Sequence, residues 1–440
     1  MTTTPVTTTV AQGTRPAAGT TTGTSTGTST GTSTGTSTGT STGTSTETGT
    51  DPVLDADFYG FQNLLTAQEQ DRILAVREFM EREVRPVADD YWERSDCPVH
   101  LFKPFAELGT VGAAWSETAG FDTSAVFRGW VGMELARVDS SFCTFIGVSS
   151  GLAMSSIGLG GSAEQREQWL PPMARGDLIG AFGLTEPLSG SDTAKGLRTT
   201  ATRHGDTWVL DGAKRWIGNA TFADVVVIWA KDTADQQMKG FLVRKGTPGF
   251  TATKIERKQS LRIVQNADIV LDGVEVAEAD RLQGIDSFRD VAKVLRVTRD
   301  GVAWQSLGTM IGAYEAAVRY TKQREQFGRP IASYQLVQDR LATCLANITA
   351  SLAVCVRVSQ LQDEGTQTDA QAALAKSFVT TRMRETVALC RESLGGNGIQ
   401  LDHGVARYFA DAEAVYTFEG TRDMNNLIVG REITGHAAFV

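Results

Sequence analysis

Apolar residues recur every three to four positions where the low-complexity start of the chain ends. In TAQEQDRILAVREFMEREV they fall at Ile73, Val76, Phe79, Met80 and Val84, the stripe of an amphipathic helix. Thr66 and Glu69, three apart just ahead of it, predict a capping box. Similar spacing predicts helices near 101–108, 124–138 and 162–175. Near residue 180 the period drops to two. TWVLDGAKRWIG reads as a strand, a turn at Asp211-Gly212 and a second strand, and DVVVIWA, KGFLVRK and ADIVLDGVEV continue the series. After about Ser287 the helical period returns, near 288–325, 334–363, 369–394 and 421–435, with breaks at Gly328-Arg329-Pro330, Gly365 and Gly395-Gly396. The pattern predicts an α+β protein: an N-terminal helical domain over 56–178, a central antiparallel β domain over 179–287 and a C-terminal four-helix bundle over 288–440.

Residues 1–55 stand outside that scheme. They are nearly all Thr, Gly and Ser, with Gly-Thr-Ser-Thr repeated from Gly23 onward. Such a segment has no apolar area to bury against its chain entropy and is expected to be a disordered tail. It resembles neither a secretory signal nor an Arg-rich transit peptide, and the C-terminal HAAFV is not a peroxisomal tripeptide, so a cytoplasmic protein is expected. No apolar run long enough to span a bilayer is read, and no membrane span is expected.

Charge and cysteine content narrow the function. The net charge is −9 with no basic run, which argues against nucleic-acid binding. The five cysteines (Cys97, Cys143, Cys344, Cys355, Cys390) include no close pair, and the four histidines no metal-ligand spacing. Neither a disulfide framework nor a metal centre is expected. The helical, β, helical order also lacks the βαβ alternation and the Gly-rich turn of a Rossmann domain.

One carboxylate needs an explanation. In VYTFEGTRDMN an apolar and aromatic run leads directly into Glu419. Two readings stand side by side: an acid welcome at the start of the following helix, and a base kept dry so that its proton affinity rises.

Five stretches in order, FGLTEPLSGSD, KRWIGNATFAD, REQFGRPIASYQ, CRESLGGNGI and the Glu419 run, together resemble the acyl-CoA dehydrogenase and oxidase flavoproteins. The resemblance runs from about residue 57 to the C-terminus. LRIVQNADIVLDGVEV, VAWQSLG and GREITGHAAF are most similar to the branch holding glutaryl-CoA dehydrogenases and plant short-chain acyl-CoA oxidases. It implies FAD as cofactor and α,β-dehydrogenation of an acyl-CoA, Glu419 taking the α-proton and FAD the β-hydride. It also implies that the thioester carbonyl is held by a flavin hydroxyl and by the Glu419 N–H, which stabilises the developing enolate.

The same resemblance assigns the remaining positions. Phe182, Leu184, Thr185, Gly190 and Ser191 would line the flavin, with Ser191 also touching acyl-CoA. Trp216, Ile217 and Gly218 would pack on its ring, Gly218 standing where many relatives have Thr. Arg324, Phe327 and Gln335 would reach a neighbouring subunit's FAD, with Glu392, Ser393, Leu394, Gly395 and Gly396 beneath its adenine side. Thr421, Asp423 and Phe439 would complete the flavin contacts. A site shared between chains implies a homo-oligomer, by family habit a dimer of dimers. On the acyl side stand Cys143, Thr144, Arg299 and Gly420. Glutaryl-CoA enzymes have an Arg where Cys143 stands, and a buried substrate carboxylate left unpaired would cost several kcal/mol. The expected substrate is therefore an uncharged short- to medium-chain acyl-CoA. An electron-transfer flavoprotein is the expected acceptor, with O₂, and hence an acyl-CoA oxidase, as the alternative. A flavin monooxygenase of the same fold is disfavoured by retention of Glu419, and a non-catalytic acyl-CoA-binding module predicts no bound yellow cofactor.

Overall fold

The computed structural model describes residues 56–115 and 117–438, all within one unit spanning Pro52–Val440. The Gly-Thr-Ser-Thr repeats and Phe439 lie outside the described residues.

The capping box forms as the sequence predicts. Glu69 N–H donates to Thr66 Oγ1 at 3.3 Å, and the Glu69 carboxylate accepts the Thr66 N–H at 2.9 Å. This starts α1 (Ala67–Phe79), which runs through a π turn into α2 (Arg85–Arg94). Then come α3 (Phe102–Ala106), α4 (Ala125–Val138), α5 (Ser140–Gly147), α6 (Met154–Gly160) and α7 (Ala163–Ala174). One expectation fails here. Ser140–Gly160 is an uncharged stretch of 21 residues, long and apolar enough to meet the length criterion for a span, and Gln335–Asp363 meets it as well. The first of these is 72% buried inside the protein and is broken by a π turn at Val148–Ala153, so it packs as core.

The sheet contains β1 (Gly180–Gly183), β2 (Thr200–His204), β3 (Thr207–Gly218), β4 (Val225–Asp232), β5 (Met238–Arg244), β6 (Phe250–Lys254) and β7 (Asn266–Ala277). The order is β1-β4-β2-β3-β7-β6, with β5 also on β4. Most pairings are antiparallel, while β4 runs parallel to both β1 and β2. Alternation along β4 separates two cores: Val225, Val227 and Trp229 face the helical side, and Val226, Ile228 and Ala230 face a second core inside the β domain. The turn expected at Asp211-Gly212 is instead a bulge within β3, which pairs with β7 on both sides of it. Gly212 has φ 148°, and a Cβ there would stand 2.7 Å from Thr199 Cα, so only glycine fits the bend.

The C-terminal helices are α8 (Phe288–Gln323), α9 (Gln335–Asp363), α10 (Asp369–Ser393), α11 (Val405–Thr417) and α12 (Arg422–Thr434). A hairpin of β8 (Glu325–Gln326) and β9 (Arg329–Pro330) joins α8 to α9. Helix α11 has no counterpart in the sequence-derived pattern because two buried charges interrupt its apolar stripe. Arg407 pairs with Asp139 and Asp89, and Asp411 accepts from Trp92 Nε1, Ser141 Oγ and the Leu261 N–H at 2.7–2.8 Å. Asp411 thereby ties α2, α5 and the β domain to the bundle.

Close contact between α4 and α8 sets the wall of the site. A Cβ on Gly308 would stand 2.1 Å from Met133 O, and one on Gly312 2.2 Å from Arg137 O. The buried Glu134 on α4 is held by Arg77 and Arg137. Burial alone would raise its carboxyl, but the two guanidinium groups keep it below the ordinary value.

Candidate active site

A cavity of about 1030 Å³ opens between the helical domain, the β domain and the bundle. It gathers residues that the sequence scatters over three hundred positions. Phe182, Leu184, Thr185, Gly190, Ser191, Trp216, Ile217 and Gly218 line it from the β domain. Cys143 and Thr144 line it from α5, Arg299 from α8, and Glu419, Gly420 and Thr421 from the corner between α11 and α12.

Glu419 sits in that corner with φ 56°, a left-handed conformation that a residue of its size adopts only under constraint. Gly420 follows with φ 88°. Thr421 is the N-cap of α12 and accepts the Met424 N–H at 3.3 Å. The carboxylate is thus displaced from the helix start, and its contacts are of a different kind. The residue as a whole is half-buried, but its carboxyl group is enclosed, and Thr298 Oγ1 donates to Oε2 at 3.1 Å. Burial pushes the carboxyl above the ordinary glutamate value, against the opposing pull of the Thr298 hydroxyl, Arg299 and Lys376. No group among the described residues accepts the Glu419 N–H, which leaves that donor for a ligand.

On the β-domain side, Trp216 is also left-handed, with φ 67°, and is 53% exposed where it borders the cavity. Its neighbour Arg215 N–H donates to Thr185 O at 2.8 Å, and Thr185 Oγ1 donates back to Arg215 O, so the two flavin-type motifs are stitched edge to edge. Beneath them Lys214, fully buried, pairs with Glu186 at 2.8 Å and donates to Leu184 O. Glu186 in turn accepts the Arg198 and Thr199 N–H groups. Burial lowers Lys214 to about 8 despite Glu186. A Cβ on Gly218 would stand 3.0 Å from Val148 Cγ2, so a larger residue there would crowd Val148.

The walls fit the isoalloxazine end of FAD: a left-handed Trp as an aromatic wall, Gly190 with open space where a Cβ would be, and the exposed Ser191 beside it. Other predicted cofactor positions lie elsewhere in the chain. Arg324, Ser393, Leu394, Gly395 and Gly396 line a second depression of about 290 Å³ at the hairpin. Phe327 is 94% exposed at the hairpin tip, Gln335 is exposed, and Glu392 pairs with Arg340 at 2.7 Å. Asp423 is exposed on α12, outside the main cavity.

On the acyl side, Thr144 Oγ1 accepts from Gln305 Nε2 at 2.7 Å and donates to Ser140 O, while Cys143 Sγ donates to Gly132 O at 3.4 Å. Their polar atoms are already occupied, and burial pushes the Cys143 thiol well up, keeping it uncharged. Arg299 Nε has no acceptor among the described residues. The sequence reading missed Thr298, Lys258 and Lys376. Lys258 lines the cavity and donates to Leu261 O, Val264 O and Asn266 Oδ1, and burial lowers it to about 8. A lone lysine on the apolar face of AALAKSFV was the available signal for Lys376.

Comparison with known proteins gives the same picture. The N-terminal, middle and C-terminal domain families of acyl-CoA dehydrogenase match residues 66–177, 181–274 and 288–434. An acyl-CoA dehydrogenase of Bacillus subtilis is 33% identical over 366 residues, covering 82% of this chain and 96% of that protein. The crystal structure of glutaryl-CoA dehydrogenase from Mycobacterium smegmatis superposes with a TM-score of 0.84 at 37% identity, over 88% of this chain and 99% of that one. A second structure from that source, in complex with FADH2, gives a TM-score of 0.83 at 36% identity over 87% and 98% of the two chains. Butyryl-CoA dehydrogenase from Megasphaera elsdenii gives 0.80 at 28% identity over 84% and 98%.

Proposed function

Since the chain belongs to the acyl-CoA dehydrogenase family of FAD-dependent oxidoreductases, we propose that it desaturates an uncharged short- to medium-chain acyl-CoA between Cα and Cβ, with Glu419 as the base. The observation that carries this reading is the enclosed Glu419 carboxyl, aimed into one cavity with Trp216 and the acyl-side residues. FAD, when bound, supplies the acceptor for the β-hydride.

The protein's own groups do the rest. Glu419 takes the α-proton onto its carboxylate. Burial strengthens it as a base, while Thr298, Arg299 and Lys376 favour its ionised form. The Glu419 N–H, without a protein acceptor, is available to the thioester oxygen, where negative charge develops as the α-proton leaves. The satisfied Cys143 and Thr144 groups offer no counter-charge to an ionised acyl end, which supports an uncharged substrate over glutaryl-CoA.

The hairpin residues Arg324 and Phe327, with Gln335 and the 392–396 loop, are placed by this reading against a neighbouring subunit's FAD in a homotetramer. Their separation from the main cavity of their own chain supports it. An electron-transfer flavoprotein is the proposed acceptor, and the cytoplasm the proposed compartment.

The test is anaerobic mixing of the purified holoenzyme with a panel of acyl-CoAs. Wild-type protein should lose its flavin absorbance, and Glu419→Gln should keep FAD but not bleach. Bleaching of that variant at a near-normal rate refutes the base assignment. Repeating turnover in air with peroxide detection separates a dehydrogenase from an oxidase.

A further inference from the structure

We propose that Lys376 is the positioning residue for the base: its ammonium gathers the carbonyl oxygens on both sides of Glu419 and so fixes the left-handed corner that aims the carboxylate. The inference rests on the base assignment above and extends it to a residue on a different helix.

The geometry is specific. Lys376 lies two turns into α10 and is completely buried. Its Nζ donates to Phe418 O at 2.6 Å, to Tyr416 O at 3.4 Å and to Gly420 O. An ammonium has three N–H donors, and here three carbonyls take them. Two of these carbonyls, Tyr416 and Phe418, belong to the end of α11, where the last turn leaves its acceptors without intrahelical partners. The third follows Glu419 directly. Residues 416–420 are therefore wrapped around one cation, with Glu419 at the turn. Asn425 secures the other side, its Nδ2 donating to Gly420 O at 2.8 Å and Thr421 O at 3.0 Å. A glutamate with φ 56° followed by a glycine with φ 88° is held by these contacts from α10 and α12.

Charge balance points the same way. No carboxylate forms an ion pair with Lys376 among the described residues, and the acid acting on it is Glu419. From α8, Arg299 faces the pair, itself opposed by Asp369, which is bonded to Arg296 at 2.6 Å. Glu413 on α11 is taken by Arg384 at 2.8 Å, and Asp423 on α12 stands beside Arg422 at 3.9 Å in solvent. Lys376 and Arg299 are thus the cations acting on the base. Burial lowers Lys376 to about 8, so it is charged at neutral pH when the base ionises.

The experiment uses holoenzyme carrying Lys376→Met and Lys376→Gln. The readouts are FAD content, acyl-CoA affinity, and the pH dependence of anaerobic flavin reduction. Lys376→Met should cut the reduction rate by about a hundredfold, because a base displaced by an ångström loses that much. Acyl-CoA affinity should change by less than about threefold, since the lysine does not face the ligand. Lys376→Gln, which still donates to the carbonyls, should recover part of the rate. In both variants the acidic limb of the rate profile should move up by about one unit, because a cation that favours the carboxylate is gone. Rates and limbs that match wild type in either variant overturn the proposal. So does loss of FAD and of cooperative unfolding in both, which assigns Lys376 to folding alone. A wild-type flavin that no acyl-CoA bleaches refutes the base assignment itself, and this proposal with it.

Discussion

Thr298 Oγ1 donates to Glu419 Oε2 over 3.1 Å, from the cavity face of α8 to the corner between α11 and α12. The same hydroxyl contacts Leu295 O at 3.3 Å. A hydrogen bond to the ionised carboxylate favours that form, so it works against the burial that raises Glu419. The balance sets the pH at which the base becomes active. Flavin reduction should rise with pH as Glu419 ionises and then level off, its midpoint lying above the ordinary glutamate value of roughly 4.3.

Thr298→Val keeps the volume and removes the donor. Losing one hydrogen bond to a charged group is worth about 1.5–3 kcal/mol. The midpoint for anaerobic flavin reduction should therefore move up by about one to two units, with the plateau rate little changed. Stopped-flow absorbance across pH measures it. A midpoint within experimental error of wild type would show that the hydroxyl does not act on the base.

Much of this arrangement could be read from the chain. Helix periods at 288–325 and 334–363, the Thr66–Glu69 cap and the strand series follow from local spacing, and α8, α9 and the cap form there. Glu419, Trp216 and Cys143 were legible because a known family shares their motifs, and the structure brings them to one cavity. What stayed hidden depends on long-range partners. Arg407 and Asp411 disguised α11 because their ion pair and hydrogen bonds reach residues about 270 to 320 positions away. Gly212 looked like a turn because local propensity cannot show that β7 continues past it. Lys376 stayed unnoticed because its acceptors lie some 40 residues further along.

Gly218 shows a local choice enforced by a neighbour. With Val148 Cγ2 at 3.0 Å and Val264 Cγ1 at 3.5 Å from the Cβ position, Gly218→Thr must press β3 against the Val148 side chain on the π turn that follows α5. The variant should purify with several-fold less FAD, because Trp216 and Ile217 move with the strand. Adding Val148→Ala should restore most of it. Absorbance ratios of the purified single and double variants check this, and full FAD occupancy in Gly218→Thr alone would refute it.

Cys143 bears on substrate choice. Its thiol is buried on the cavity wall and held uncharged, so an acyl chain ending in a carboxylate meets no partner there. Cys143→Arg supplies one. Preference, as the ratio of kcat/KM for glutaryl-CoA over butyryl-CoA, should rise by at least about tenfold, the discrimination a single desolvated charge pair provides. An unchanged ratio would mean that the acyl end does not reach this wall.

Asp300 should make the folded protein pH-sensitive in a way its neighbours do not. It is buried on α8, with Oδ2 accepting from Ser359 Oγ at 2.9 Å and Oδ1 without a partner among the described residues. Burial pushes its carboxyl up to about 7, with Ser359 and Arg128 only partly opposing this. In the unfolded chain the same group ionises near roughly 3.9. Between these values the folded state holds the proton and the unfolded state does not. Stability contributed by Asp300 is therefore complete below about 4, declines as pH rises toward about 7, and stays at its lower level above. Asp300→Asn cannot ionise and can still accept from Ser359. Its stability relative to wild type should increase between about pH 5 and about pH 8, read from urea midpoints at both. A difference that stays constant, or shrinks, would show that Asp300 is ionised in the folded protein throughout this range.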